Sequence, residues 1–155
     1  MIKRILIEGD ILLPEKYNKY KHFISLGANC FVSEDITNAQ GMFYDNIWIN
    51  HPFEINLASD SKIDCSDMFN GCIRLLTAPV INCNNSTFTD LSNFFSECGD
   101  LRSVSEDLLK ILYTDESTTS YYTQFTFGSF AYCYVLDEIM RQDEESEIID
   151  LTMKI

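Results

Sequence analysis

The stretch His22-Phe-Ile-Ser-Leu-Gly-Ala-Asn-Cys-Phe31 decides the predicted start of the fold. Its first five residues predict a short buried strand that ends at Gly27. Asn29 is a residue type that caps helices, so we expect a helix with Cys30 in its first turn and its end at Gly41. The positive end of such a helix would favour the thiolate form of Cys30.

Outward from this stretch, short strand patterns alternate with helical apolar spacing. Strands are predicted at 2–7, 80–83, 121–127 and 148–153, with two extended pieces within 42–57. Helices are predicted from residue 64 or 66 to 79, and at 89–98 and 130–140. A further helix is predicted from the capping box Ser103-Val-Ser-Glu106 through Leu112. We find no internal repeat in the letters of the sequence. The pattern therefore predicts an α+β (mixed α/β) fold, one compact domain over residues 1–155 with a small sheet and four to five helices.

Acidic side chains dominate the chain of 155 residues, which carries a formal charge of −13. A field of this sign repels phosphate backbones, so direct nucleic-acid binding is not expected. A basic groove on another protein would be attracted instead. Solubility alone also explains an acidic composition.

The six cysteines, with no predicted signal peptide before them, indicate buried free thiols in a reducing cytoplasm of a host or bacterial cell. No Cys-X-X-Cys or Cys/His cluster supports zinc. The acids Asp60, Asp64 and Asp67 lack the calcium-loop pattern. We therefore predict no metal and no cofactor. No stretch is apolar over the length that a membrane span needs, so no membrane partner is expected.

A second short segment, His51-Pro-Phe-Glu54, completes the pattern that carries a family resemblance. Ser25-Leu-Gly-Ala-Asn-Cys30 together with Pro52-Phe-Glu54 resembles a bacterial and viral family of papain-like cysteine peptidases. That family shows Ser-Leu-Gly-x-x-Cys followed by Pro-Phe-Asp-Trp, and here Glu54 replaces the acid and Ile55 the tryptophan. The resemblance covers about forty residues and implies a nucleophile at Cys30.

A thiol nucleophile needs an imidazole that holds the thiolate and later protonates the leaving group. His22 precedes Cys30, and His51 follows within a turn, so neither matches the family's late histidine. Under the enzyme hypothesis Cys30, His51 and Glu54 are catalytic, with Glu54 or Asp45 orienting the imidazole. The alternative is that Cys30 is a buried core thiol.

A cluster of carboxylates near the end of the chain is the second candidate site. Its members are Asp137, Glu138, Asp143, Glu144, Glu145, Glu147 and Asp150. Such density can mimic the charge of a nucleic-acid backbone and fill a basic groove of a target. A solvated helix end is the other interpretation. The tyrosines and phenylalanines of 121–134 lack the basic groove of a single-strand binder, so we assign them to the core.

The leading hypothesis is a small acidic interaction protein, an inhibitor in the general style of phage anti-defence and anti-CRISPR proteins, which binds a protein partner with a basic surface. The alternative is a papain-like cysteine hydrolase that uses Cys30. A third possibility is a structural subunit of a larger assembly. The first predicts binding that weakens as salt rises, and the second predicts that Cys30→Ala abolishes activity.

Overall fold

The structure is a computed structural model that describes residues 4–11, 19–50, 53–57, 62–82, 88–112 and 128–139. Its elements are β1 (Arg4–Ile7), α1 (Lys19–Ser25), β2 (Cys30–Ser33), β3 (Glu54–Asn56), β4 (Ile63–Asp64), β5 (Val80–Asn82), β6 (Phe88–Asp90), α2 (Glu106–Leu112) and a helical segment α3 (134–139). The helices and the parallel strands agree with a coarse α+β class, with fewer helices than the sequence predicts.

The strands belong to a stack of parallel coils. The larger sheet has the order β1-β2-β3-β5, and all its neighbours are parallel. In β3 and β5 Ile55 pairs with Ile81, 26 residues later. The smaller sheet pairs β4 with β6 at the same spacing, Asp64 with Asp90. Because each strand pairs with its equivalent one coil further on, the described strands form a solenoid.

Successive turns complete each coil and stack on the turns of the next. The Phe43 amide donates to the Met68 carbonyl at 2.9 Å, and the Phe69 amide donates to the Phe94 carbonyl at 2.9 Å. Phe95 continues this ladder to the carbonyl of Ser129 at 2.8 Å. The last step spans a longer stretch of chain, part of which lies outside the described residues. The backbone bonds thus extend the stack over four coils.

The prediction that the chain has no internal repeat is wrong. Equivalent core positions recur from coil to coil with different side chains, which hides the repeat in the letters of the sequence. The buried sets are Ala39, Met42, Phe43, Asn46, Ile49; Cys65, Met68, Phe69, Cys72, Leu75; and Leu91, Phe94, Phe95, Cys98, Leu101. Within each set the buried residues are three or four positions apart, because each short turn brings the next apolar side chain back to the inside of the coil.

The predicted helices at 64–79 and 89–98 are wrong for the same reason. The stretches 66–71 and 92–97 form hydrogen-bonded turns instead. Met68 donates to the Cys65 carbonyl at 3.3 Å, which is a bond between residues three apart, and the next turn begins at once. A continuous helix would place neighbouring apolar residues on one face; successive turns with the same spacing place them inside a coil.

Left-handed backbone positions separate the turns at two fixed places in each of the four coils that the turn ladder joins. One place holds Gly41, Asp67, Asn93 and Gly128, and the other holds Asp45, Gly71, Glu97 and Tyr132; all have φ between 56° and 82°. Glycine, asparagine and aspartate tolerate this conformation best. The two places interrupt helical geometry, which is why the apolar spacing does not produce helices here.

Phenylalanine rings fill the centre of the stack. The Phe43 and Phe69 rings lie 5.3 Å apart at 17°, and the Phe69 and Phe95 rings lie 5.4 Å apart at 22°. Phe130 continues the column at 5.8 Å from Phe95. Phe43, Phe69 and Phe95 are fully buried, so the column supplies hydrophobic stabilisation. Its rings are nearly parallel and offset, which is one of the arrangements that aromatic pairs favour.

A column of cysteines runs beside the rings. The Cys72 thiol donates to the Phe43 carbonyl at 3.1 Å, and Cys98 repeats this bond to the Phe69 carbonyl at 3.1 Å. Cys133 repeats it once more to Phe95, at 3.0 Å. Burial raises the pKa of Cys72 and of Cys133 to about 12 and raises that of Cys98 as well. The thiols therefore stay protonated and serve as internal donors, in agreement with the predicted buried free thiols.

Other sequence predictions have mixed outcomes. The strands at 2–7 and 80–83 are confirmed as β1 and β5 over the residues that the structure describes. The helix predicted after the Ser103 capping box is confirmed as α2, but Ser105 and not Ser103 caps it, because the Ser105 hydroxyl accepts from the Leu108 amide at 3.2 Å. The helix at 130–140 is confirmed only over 134–139. The predicted strands at 121–127 and 148–153 lie outside the described residues. Within the described part of the chain, no helix has the length and apolarity to cross a membrane.

Alanine substitutions at two glycines test the left-handed positions. Gly71 has φ +82°, and a Cβ there would lie 2.7 Å from Asp45 Oδ1 and 3.2 Å from Asp45 Cα. We expect Gly71→Ala to lower the free energy of unfolding by more than the ~1–2 kcal/mol of the left-handed conformation alone. Gly99→Ala is the matched control, because its Cβ would meet only Tyr134 Cδ2 at 3.9 Å. Urea denaturation measures both, and equal losses would contradict the turn geometry.

Truncation of the central ring tests the aromatic column. Phe69 packs between Phe43 and Phe95 and is fully buried, so we expect Phe69→Ala to lower the free energy of unfolding by about 3–5 kcal/mol. Phe130→Ala should cost less, because that ring is only partly buried. Chemical denaturation of both variants makes the comparison; a smaller loss at Phe69 than at Phe130 would refute it.

Candidate functional site

Cys30 lies on a strand of the larger sheet. It is the first residue of β2, and α1 precedes it at Lys19–Ser25. The predicted strand at 22–26 and the predicted helix that starts at Cys30 are therefore both wrong. Residues 22–25 belong to α1 instead, and this helix is stabilised by the burial of Tyr20 and Ile24, which lie one turn apart on the same face. No helix N-terminus faces the Cys30 thiol from its own segment, so the expected dipole contribution to a thiolate is absent there.

The structure does bring Cys30 and Glu54 together. The two residues are paired neighbours in adjacent parallel strands, and the Cys30 thiol donates to Glu54 Oε1 at 3.4 Å. The Asn56 side-chain amide approaches the sulfur at 3.7 Å. Only 4% of Cys30 is exposed. The thiol is thus a covered hydrogen-bond donor on the sheet surface.

Electrostatics around Cys30 oppose a thiolate. Burial raises the pKa of the Cys30 thiol, and the hydrogen bond and negative charge of Glu54 raise it further, against smaller lowering effects from Arg4 and Asn56. A catalytic thiolate needs the reverse, a lowered pKa beside a cationic group or a helix N-terminus. Glu54 therefore acts on the thiol itself in the direction that suppresses its reactivity.

The other residues of the enzyme hypothesis do not complete a site in the described residues. His51 lies outside them. His22 is an exposed residue of α1. Asp45 lies at a left-handed turn position, where its amide donates to the Asn70 carbonyl, so it belongs to the turns and not to the sheet that holds Cys30. In the described part of the chain, no group of three or more His, Cys, Asp and Glu side chains has a metal-binding arrangement.

Two members of the predicted acidic cluster lie in described structure. Asp137 and Glu138 are exposed residues of α3. Partial shielding from water raises the pKa of the Asp137 carboxyl. The remaining members, Asp143, Glu144, Glu145, Glu147 and Asp150, lie outside the described residues. The described part of this cluster is therefore a short exposed end of the last coil.

A different surface, which we call the turn flank, gathers exposed aromatic side chains. It comprises the stacked segments 44–48, 70–74, 96–100 and 131–135, which the turn ladder places one above another. Trp48, Tyr132 and Tyr134 are 62%, 60% and 67% exposed, and they are the exposed aromatic residues among those the structure describes. Single exposed apolar residues are ordinary, whereas a cluster of large ones on one face indicates an interaction surface.

Carboxylates surround these rings on the turn flank. Asp45, Glu97 and Asp100 are all exposed there. The flank's basic residue Arg74 is also exposed, but its guanidinium lies over the Trp48 ring at 5.3 Å from the centroid. The flank thus combines apolar surface with negative charge, which is the composition that an acidic interaction protein needs for a basic partner.

The assignment of Tyr132 and Tyr134 to the core is wrong. The side chains of Phe130 and Cys133 face the inside of the coil, whereas the rings of Tyr132 and Tyr134 lie on the turn flank. The turn ladder aligns Tyr132 with Glu97 and Asp45, which are exposed in their own coils. Because the interval from Glu97 to Tyr132 is longer than the 26-residue spacing of the earlier coils, an alignment at that spacing would not have revealed this exposure.

Comparisons of the chain with protein-family models, with curated proteins and with solved structures gave no match. The resemblance of the Cys30 segment to papain-like cysteine peptidases therefore stays a hypothesis that rests on its short motifs.

The pH dependence of Cys30 alkylation tests its environment. We expect the iodoacetamide rate at Cys30, followed by mass spectrometry of its peptide, to keep rising through about pH 8.5, because the raised pKa keeps the thiol protonated. Glu54→Gln removes the negative charge and should move the curve to lower pH. Glu34→Gln, an exposed change beyond the end of β2, should leave it unchanged. A plateau at or below about pH 7 would instead support the hydrolase hypothesis.

Proposed function

We propose that this protein is an acidic interaction protein that binds a basic surface of a partner protein through its turn flank. The clustering of Trp48, Tyr132 and Tyr134 among the carboxylates of that flank carries the proposal. Aromatic residues are enriched in the centres of protein interfaces, and Tyr and Trp supply most of the binding energy in many of them.

The architecture supports this use of the flank. A solenoid contacts only its neighbouring coils through its interior, which leaves its lateral surfaces available for long binding faces. The backbone ladder fixes the spacing of the flank residues before any partner arrives, so little ordering cost accompanies binding. The excess of negative charge on the whole chain, −13, would accelerate association with a basic partner.

Inhibition of a nucleic-acid-binding protein is one form of this proposal. A partner whose basic groove holds a nucleic acid would present arginine and lysine side chains to the flank, and the protein would then compete with the nucleic acid. The phage anti-defence role suggested by the composition belongs to this form. The carboxylates of the predicted acidic cluster within 137–150 would add to the attraction for a basic partner.

Site-specific cross-linking tests the proposal. A photo-reactive phenylalanine analogue at Trp48 should capture a partner in cells that express the protein naturally, whereas the same analogue at Glu34, an exposed site beyond β2, should not. The purified partner should have a basic patch, and duplex DNA or RNA should compete for it in the inhibitor form. Equal capture from both sites, or a partner without a basic patch, would contradict the proposal.

Charge neutralisation on the flank provides the quantitative test with that purified partner. We expect the triple variant Asp45→Asn, Glu97→Gln, Asp100→Asn to bind at least about tenfold more weakly, a loss of about 1.4 kcal/mol. The loss should shrink as salt rises, because screening weakens exposed charge interactions. The variant Glu8→Gln, Glu34→Gln, Asp107→Asn makes the same charge change at exposed sites elsewhere and is the matched control. Calorimetry that shows equal losses for both variants would place the interface elsewhere.

A further inference from the structure

A notch in the turn flank has the form of a site for one side chain. Its lining residues are Ile73, Glu97, Gly99, Tyr132 and Tyr134, and its volume is about 310 Å³. That volume lies at the lower end of small-ligand pockets, roughly 300 Å³. The notch is therefore suited to a single long side chain and not to a large cofactor.

Gly99 creates the notch. The turn ladder aligns Gly99 with Ile73 in the coil before and with Tyr134 in the coil after, so a column of exposed apolar side chains is interrupted at this one glycine. Gly99 has no left-handed φ that would require glycine, and a Cβ there would make only an ordinary contact with the Tyr134 ring at 3.9 Å. The backbone therefore tolerates a side chain at Gly99, and its absence leaves the notch open.

The chemistry of the lining favours a cation. The Tyr132 and Tyr134 rings lie 6.2 Å apart at 57°, and the Glu97 carboxylate lines the same notch. No ion pair holds Glu97 among the residues that the structure describes. Two aromatic faces beside a carboxylate attract a cationic group through the ring quadrupoles and through the charge. The Arg74 guanidinium over the Trp48 ring shows the same chemistry on the same flank, between segments 70–74 and 44–48.

Two lining residues adopt conformations that their residue types disfavour. Glu97 and Tyr132 both have φ of 61°, at the position that Gly71 occupies in another coil. Such a conformation is unfavourable for residues other than glycine, asparagine and aspartate. Asparagine or glycine would serve the turn better, so the backbone does not explain the choice of a carboxylate and a phenol ring at these two places.

We infer that the notch between Tyr132, Tyr134 and Glu97 binds an arginine side chain of a partner protein. Arginine fits better than lysine because its planar guanidinium stacks on aromatic rings and pairs with a carboxylate in one geometry. The inference rests on the proposed function and deepens it, since it names the anchor of the interface. Gly99 leaves the space for the arginine stem, and Ile73 supplies an apolar wall along that stem.

NMR titration of the full-length labelled protein with the peptide acetyl-Gly-Gly-Arg-Gly-Gly-amide tests this inference. Saturable shifts are expected at the Gly99 amide and at the Tyr132 and Tyr134 rings. The same peptide with citrulline, which is neutral and nearly isosteric, should produce no saturable shifts there. Equal binding of the citrulline peptide, or arginine shifts confined to other surfaces, would overturn the notch and leave the broader proposal intact.

Variants of the lining sharpen the test. Gly99→Val should abolish the shifts by filling the notch, and Glu97→Gln should weaken binding about two- to fivefold. Tyr134→Leu should weaken it similarly, whereas Tyr134→Phe retains the ring and should restore it. Glu34→Gln should have no effect. Unchanged binding in Gly99→Val, with a folded spectrum, would also overturn the inference.

Tyr132→Asn distinguishes a binding role from a structural one. Asparagine accepts the left-handed conformation better than tyrosine, so the urea midpoint should not fall while arginine binding weakens. A fall in the midpoint with unchanged binding would show that the ring serves the fold and would contradict the inference. Trp48 does not line the notch, so cross-linking from Trp48 tests the interface separately. Cross-linking without arginine binding would contradict only the arginine site, whereas the absence of cross-linking would contradict the proposed interface.

Discussion

Backbone hydrogen bonds between equivalent turns are the constraint on which the whole structure depends. The bonds from Phe43 to Met68, from Phe69 to Phe94 and from Phe95 to Ser129 form only if each coil reaches the same backbone conformation at the same place. The left-handed residues at two places per coil provide that conformation. Once the turns are in register, the phenylalanine rings and the cysteine thiols stack without further adjustment, and the strands pair in parallel.

The sequence predicted the elements that local propensity determines, and it missed the turns that repeat from coil to coil. β1 and β5 followed from isoleucine-rich strand patterns, and α2 followed from its apolar spacing, although Ser105 and not the predicted Ser103 caps it. The turns of 66–71 did not, because Cys65, Phe69 and Cys72 have the spacing of a helix face. The distinguishing signals were Asp67 and Gly71, two residue types suited to left-handed φ at positions that recur 26 residues apart. A longer interval before Gly128 and the varied core residues hid that recurrence.

The candidate site divides in the same way. The motif brought Cys30 and Glu54 to attention, and strand register does make them neighbours. The motif could not predict how the two side chains affect each other, because that depends on the elements that carry them. The Glu54 carboxylate beside the buried Cys30 raises the pKa of the thiol, whereas a helix N-terminus would have lowered it. The exposure of Tyr132 and Tyr134 depended on the ladder as well, because residue type alone assigns aromatic rings to the core.

A stack of coils separates the demands of folding from those of recognition. The interior positions share one backbone geometry and must stay buried, and two of their columns repeat one side-chain type, the rings of Phe43, Phe69 and Phe95 and the thiols of Cys72, Cys98 and Cys133. The turn flank faces no such demand except at its left-handed positions, where glycine, asparagine and aspartate cost least. Glu97 and Tyr132 occupy those positions at a cost in stability, and both remain largely exposed there. Residues that oppose the local backbone preference while remaining at the surface are best explained by what they contact outside the chain, and here a carboxylate and a phenol ring converge on the gap left by Gly99.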